Sequence, residues 1–171
     1  NTRLVGSEMC IRDSSLHLHL GRGEAQLSLD GSGGSLHRRG YRAAMGAAPL
    51  KENLAAGLIR LTGWDGNQPL VDPCCGSGVL LIEAALAALQ QAPGLERHFA
   101  LEGWADFQPD LWDREADRAR QRRRGDLTLP PLLGIEADPA IADQARGNVE
   151  AAGLSGVIRI CTGTFSDQPL P

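Results

Sequence analysis

Apolar and polar residues alternate over Leu16-His17-Leu18-His19-Leu20 and again over Ala25-Gln26-Leu27-Ser28-Leu29, with Gly21-Arg22-Gly23 between them. Period-2 alternation on either side of a glycine-rich turn predicts a short antiparallel hairpin. The run Asp30-Gly31-Ser32-Gly33-Gly34 then breaks the pattern. From Pro49 the period becomes helical. Proline at the first helical position gives up no needed N–H, Leu50, Leu54, Leu58 and Leu61 predict a buried stripe, and Gly63 a stop. Pro69-Leu70-Val71 reads as a buried strand, Asp72 to Gly78 as a loop, and Val79 to Ala92 as an Ala/Leu-rich helix.

From Pro93 to Leu129 the pattern is irregular and then highly charged. An exposed helix is expected over Leu111 to Arg124, braced by Asp110–Arg114 and Glu115–Arg118 pairs. Leu132-Leu133-Gly134-Ile135 predicts a second buried strand that ends in Glu136-Ala137-Asp138. Pro139 opens a helix with the stripe Ile141, Ala145, Val149 and Ala152, Gly153 ends it, and Val157-Ile158-Arg159-Ile160 is a third strand. Apolar strands alternating with helices predict an α/β fold with a parallel, doubly wound sheet.

Composition changes this picture little. The chain has 171 residues, enough for one domain with a real core, but only 4% aromatics, so Leu, Ala, Val and Ile must fill it. No apolar run approaches the roughly 20 residues that span a bilayer, and the start lacks the pattern of a secretion signal. These features lead to the expectation of a cytoplasmic protein with no membrane partner. A net charge of −4 argues against nonspecific coating of nucleic acid and leaves room for a local basic patch. Cys10, Cys74, Cys75 and Cys161 show no zinc spacing, and neither a metal nor a disulfide is expected.

Glu8-Met9-Cys10-Ile11-Arg12-Asp13-Ser14 stands apart. Codons for these residues reproduce a transposon end used in preparing DNA sequencing libraries. Residues 1–14 are therefore read as a processing scar outside the fold. The expected organisation is then 15–48 as hairpin and linker, and 49–171 as a cofactor-binding half domain.

The informative chemistry lies at Asp72-Pro73-Cys74-Cys75-Gly76-Ser77-Gly78, between a buried strand and a helix. Glycines there let backbone approach a ligand closely, and the helix N-terminus offers unpaired N–H groups and partial positive charge. Asp72 at the strand tip can receive an ammonium. Glu136 at the next strand tip can accept both hydroxyls of a ribose. A ligand with an amino acid at one end and a sugar at the other fits both poles, as S-adenosylmethionine does. The loop lacks the third glycine of GxGxxG and the GK[ST] of a P-loop, which excludes dinucleotide and nucleoside-triphosphate readings.

This loop resembles the first cofactor motif of the THUMP-containing methyltransferases that modify guanine N2 in 23S rRNA, the large-subunit rRNA methyltransferase K/L type. Ser35-Leu36-His37-Arg38-Arg39-Gly40-Tyr41-Arg42 and Pro49-Leu50-Lys51-Glu52-Asn53-Leu54-Ala55-Ala56 resemble that family's preceding segments in the same order. Ala92-Pro93-Gly94-Leu95 and Gly103-Trp104 resemble its insertion. The resemblance covers Leu16 to Pro171. It implies a Rossmann-like methyltransferase fold, here reaching about its third strand, with S-adenosyl-L-methionine as cofactor and 23S rRNA as partner. It also implies that Asp72, Gly76, Ser77 and Gly78, with Cys74 in the same loop, hold the methionine part. Glu136 would hold the ribose with Asp138 as a nearby second acid. An acid usually accepts from the adenine amine after the third strand, and Thr164 stands there, with Asp167 further on.

The family's Asn-Pro-Pro-Tyr motif, which would orient the guanine amine, occurs nowhere in the 171 residues. The expectation is a fragment with a cofactor pocket, no catalytic residues and no THUMP domain, inactive by itself. Two alternatives stay open: a tRNA guanine-N2 methyltransferase of the related branch, and a noncatalytic nucleotide-binding module. Arg38, Arg39 and Arg42 are candidate RNA contacts, balanced against structural pairing. The arginines of 114–124 read as a solvated face, Trp64, Trp104 and Trp112 as packing residues, and His17 and His19 as solvent-facing.

Overall fold

The computed structural model describes residues 14–21, 23–42 and 50–168. Strands β1 (Leu16–Gly21) and β2 (Glu24–Leu29) form an antiparallel hairpin, with Leu16 opposite Leu29 and Leu18 opposite Leu27. A second sheet holds β3 (Leu70–Asp72), β4 (Leu132–Glu136) and β5 (Ile158–Thr162), parallel and in the order β3-β4-β5. The helices are α1 (Glu52–Thr62), α2 (Val79–Ala88), α3 (Pro109–Arg122) and α4 (Pro139–Ala151). The register places Asp72 beside Gly134 and Glu136 beside Thr162, so the strand ends form one edge.

A parallel sheet is covered on both faces, and β4 accordingly buries four consecutive residues from Leu132 to Ile135. Helix α2 is apolar nearly all round and is the most deeply buried helix, with Leu81 and Ile82 fully enclosed. It lies close to the sheet at Gly134. A Cβ on Gly134 would stand 2.7 Å from Ile160 Cδ1, 2.9 Å from Cys75 Sγ and 2.9 Å from Leu81 Cδ1.

Several expectations need correction. The structure begins α1 at Glu52, and Pro49 lies outside the described residues. The Leu50/Leu54/Leu58/Leu61 stripe is not the buried face: Leu54 is 52% and Leu61 85% exposed, while Glu52, Ala55 and Ile59 are buried. Polar contacts decide the rotation. The Arg42 Nε lies 3.7 Å from Glu52 Oε1, and Arg42 Nη2 donates to the Leu50 carbonyl at 2.8 Å. Small Ala55 then lets α1 approach α2. Helix α2 ends at Ala88 rather than Ala92, where Gln90 takes a φ of 53°. Helix α3 spans Pro109–Arg122, and α4 buries Ala142, Ala145, Asn148 and Val149. In α3 the Glu115–Arg118 pair forms and Asp117–Arg120 is added, whereas the expected Asp110–Arg114 pair is not found among the described residues.

The segment around Tyr41 is anchored by a buried polar cluster. Tyr41 Oη donates to Glu83 Oε1 at 3.0 Å, and Arg39 Nη2 to Glu83 Oε2 at 3.4 Å. Burial pushes the Glu83 carboxyl up, against the opposing pull of Arg39 and Tyr41. The 93–107 segment straps the hairpin base. Arg97 donates to the carbonyls of Ser32, Gly34 and Ser35. The Leu101 amide donates to Gly31 O at 3.0 Å, and Trp104 Nε1 to Ser14 Oγ at 2.8 Å. Phe99 meets Trp112 edge-on at 5.3 Å and secures α3.

Gly134→Ala tests the close approach of α2. Its methyl group has no space without moving the sheet or α2, so unfolding free energy is expected to fall by about 1–3 kcal/mol. Chemical denaturation measures this, and a loss within error would mean that Leu81 and Ile160 yield freely.

Candidate functional site

The loop from β3 to α2 crosses the carboxyl edge of the sheet. Its backbone is tied to the middle strand by the Cys75 amide, which donates to Ile135 O at 2.9 Å. Gly76 (φ 52°) and Gly78 (φ 80°) both adopt left-handed backbone, open to glycine at no steric cost. Gly78 is the N-cap of α2 and has no side chain to cap the first turn, so that turn's amides remain directed at the loop. The Gly78 amide itself closes a turn onto Cys75 O at 2.9 Å.

Two carboxylates flank this loop. Asp72 ends β3, and its Oδ1 accepts from the Cys74 amide at 3.2 Å. Its other oxygen, Oδ2, is buried without a partner among the described residues. Burial raises the Asp72 carboxyl above its ordinary value, the Cys74 amide opposes this, and the charge of Glu136 adds to the rise. Glu136 ends β4. It accepts from the Gly76 amide at 3.0 Å through Oε2 and from the Asp138 amide at 3.0 Å through Oε1. A buried, unsatisfied acceptor costs free energy unless a donor reaches it. The site is thus built for a cationic or strongly donating group at Asp72.

The other expected residues fall at the same edge in different roles. Asp138 is the N-cap of α4: its Oδ1 accepts from the Ala140 amide at 2.8 Å and the Ile141 amide at 3.4 Å. That is helix capping, a use the sequence reading did not assign. Thr164 follows β5 and opens a short turn at Phe165–Asp167, with its hydroxyl 2.9 Å from Ser166 Oγ. The Gly163 amide donates to Glu136 O at 2.9 Å, so this turn sits beside the Glu136 tip. Cys74 is exposed, whereas Cys75 is buried, with its thiol pushed up to about 12 by burial and by Asp72 and Glu136. Cys75 is a packing residue.

The basic candidates divide. Arg38 is exposed. Arg39 and Arg42 are spent on Glu83 and on Glu52 with the Leu50 carbonyl, which is the structural pairing weighed against RNA contact. No group of His, Cys, Asp and Glu able to hold a metal occurs among the described residues. Sequence reasoning missed Asn148, whose buried Nδ2 donates to Ser77 O at 3.0 Å. Its signal was one polar position inside the apolar stripe of α4.

Fold and loop together define an α/β methyltransferase class. The structure described as SMU.472, a putative methyltransferase complexed with SAH, superposes with a TM-score of 0.86 at 34% identity, covering 92% of this chain and 41% of that one. A predicted N6-adenine-specific DNA methylase from Listeria monocytogenes gives 0.84 at 36% identity, covering 91% and 40%. The chain belongs to the RMKL-like, methyltransferase domain family, whose model matches residues 39–169. It is 48% identical to the ribosomal RNA large subunit methyltransferase K/L of Pseudomonas fluorescens, over 92% of this chain and 22% of that protein. The corresponding protein of Ectopseudomonas mendocina is also 48% identical, over 93% and 23%. The chain therefore spans less than a quarter of the length of these relatives.

The orphaned Asp72 oxygen predicts a pH signature. A carboxyl raised on folding stabilises the fold below its ordinary value of 3.8, and this contribution is lost as pH rises through the raised one. Asp72→Asn is expected to raise the thermal midpoint of the ligand-free protein at pH 7, by a small margin because solvent screens the half-buried group. Thermal unfolding across pH measures it. A lower midpoint would mean that the Asp72 charge is already compensated.

Proposed function

We propose that this chain binds S-adenosylmethionine at the β3–α2 loop, as part of a methyltransferase that modifies guanine N2 in large-subunit rRNA. The single observation that carries the cofactor reading is Asp72 Oδ2, buried, unpartnered and placed beside an amide-rich loop. An α-ammonium satisfies it, and the α-carboxylate of the same group suits the first-turn amides of α2. Glu136, at the neighbouring strand tip, would accept from the ribose hydroxyls in exchange for its bond to the Gly76 amide. The solved relative described with SAH supports this reading, and the rRNA methyltransferase K/L relatives support the substrate.

When bound, the cofactor supplies an electrophilic methyl group on its sulfonium. This chain's part would be placement: Asp72 and the loop amides would hold the amino-acid end and Glu136 the ribose. Holding a reactant in one orientation is itself a large part of the catalytic work. No Asn-Pro-Pro sequence lies in the 171 residues to accept from the guanine amine. The 171 residues are accordingly expected to bind cofactor without turnover, and of Arg38, Arg39 and Arg42 it is Arg38 that is exposed to RNA.

Calorimetric titration of S-adenosylhomocysteine tests the reading. Saturable one-site binding is expected, weakened about tenfold to a hundredfold by Glu136→Ala, as for charge-assisted hydrogen bonds. Affinity should also rise with pH through the Asp72 titration, since the ammonium needs the ionised carboxylate. A folded protein that takes up no ligand would overturn the assignment.

A further inference from the structure

The β3–α2 loop is held from behind by a buried side chain on α4. Asn148 lies on α4, is 2% exposed, and is separated from the loop by 71 positions in sequence. Its Nδ2 donates to the Ser77 carbonyl at 3.0 Å. That carbonyl needs an outside donor for a local reason. Had α2 continued one residue further back, the Leu81 amide would have pointed at Ser77 O. The left-handed φ of 80° at Gly78 turns the carbonyl aside, and the first loop-to-helix bond runs instead from the Ile82 amide to Gly78 O at 3.0 Å. The Gly78 amide is meanwhile committed to Cys75 O. The Ser77–Gly78 peptide is thus fixed at both ends, by Asn148 on its oxygen and Cys75 on its nitrogen.

We infer that Asn148 is a positioning residue for the cofactor loop: it sets the orientation of the Ser77–Gly78 peptide and so aims the amides at the start of α2. The inference rests on the cofactor reading above and adds to it a mechanical link. Ala145, one turn earlier on α4, backs onto Gly78, where a Cβ would lie 3.5 Å from the Ala145 Cβ. The start of α4 is tied to the other pole, since the Asp138 amide donates to Glu136 Oε1. One helix therefore spaces the amino-acid pole from the ribose pole. Asn148 serves the first pole and leaves the second untouched.

That separation gives the test. S-adenosylhomocysteine engages both poles, whereas 5′-methylthioadenosine has the same nucleoside and no amino acid. Both are titrated into the intact 171-residue chain and into Asn148→Ala and Asn148→Ser. The ratio of S-adenosylhomocysteine to 5′-methylthioadenosine affinity is expected to fall about tenfold in Asn148→Ala, as when a partner is removed from a buried carbonyl. 5′-Methylthioadenosine affinity itself should stay within about twofold of the unsubstituted chain. An unchanged ratio with both ligands still bound overturns the inference. Equal loss of both ligands in both variants also overturns it, because Asn148 would then support the fold as a whole. Failure of the unsubstituted chain to bind S-adenosylhomocysteine would instead reject the cofactor reading.

Discussion

The middle strand β4 can carry a glycine loop on its edge only because Gly134 has no side chain. At that position the loop, the first turns of α2 and the edge strand β5 converge on one point, through Cys75, Leu81 and Ile160. Close approach there brings the start of α2 down onto the strand ends. The Cys75 amide then reaches Ile135 O as though the loop were a continuation of the sheet. With the loop seated this way, Asp72 and Glu136 come to flank it, each at the end of its own strand. Packing in a dry interior fixes geometry within a few tenths of an ångström, which is what a site built on backbone amides requires.

The carboxylates show how a polar site is kept in an otherwise apolar layer. Glu136 accepts two backbone amides and so organises the loop even without ligand. Asp72 accepts one and leaves an oxygen bare. A second polar cluster, Tyr41, Glu83, Arg39, Arg42 and Glu52, lies away from this edge and has a different job. It joins the 39–42 segment to α2 by hydrogen bonds to Glu83 and to α1 by the Arg42–Glu52 ion pair, where an apolar contact would allow several rotations. Burying charge of this kind adds little net stability, and its value lies in fixing one arrangement.

Much of this was legible because its signals are local. The hairpin announces itself by alternation, the strands β3 and β4 by apolar runs, and the loop by its glycines and the acid on each side. The α1 stripe misled because four leucines at helical spacing look like a core, whereas Arg42, ten residues before Glu52, decides which face turns inward. No helical periodicity contains that pairing. Asp138 caps α4 through one oxygen, and an aspartate before Pro139 carries the same sequence signal whether it caps, binds a ligand or does both. Arg39 and Arg42 pair with Glu83 and Glu52 on distant helices, partners that no local pattern announces. Asn148 showed only as a polar position inside the apolar stripe of α4, and its partner, a backbone carbonyl, leaves no mark on sequence.

The adjacent cysteines of the loop differ sharply in chemical character. Cys75 points into the packed layer at Gly134, with a thiol pushed up to about 12, so it holds its proton and hides its sulfur. Cys74 faces outward on the turn that Asp72 holds. Thiol reactivity depends on access and on the thiolate, so an alkylating reagent would discriminate between neighbours one peptide bond apart. Nature has thereby left a single chemical handle at the rim of the loop, whose rate of modification would report directly on whether that rim is covered.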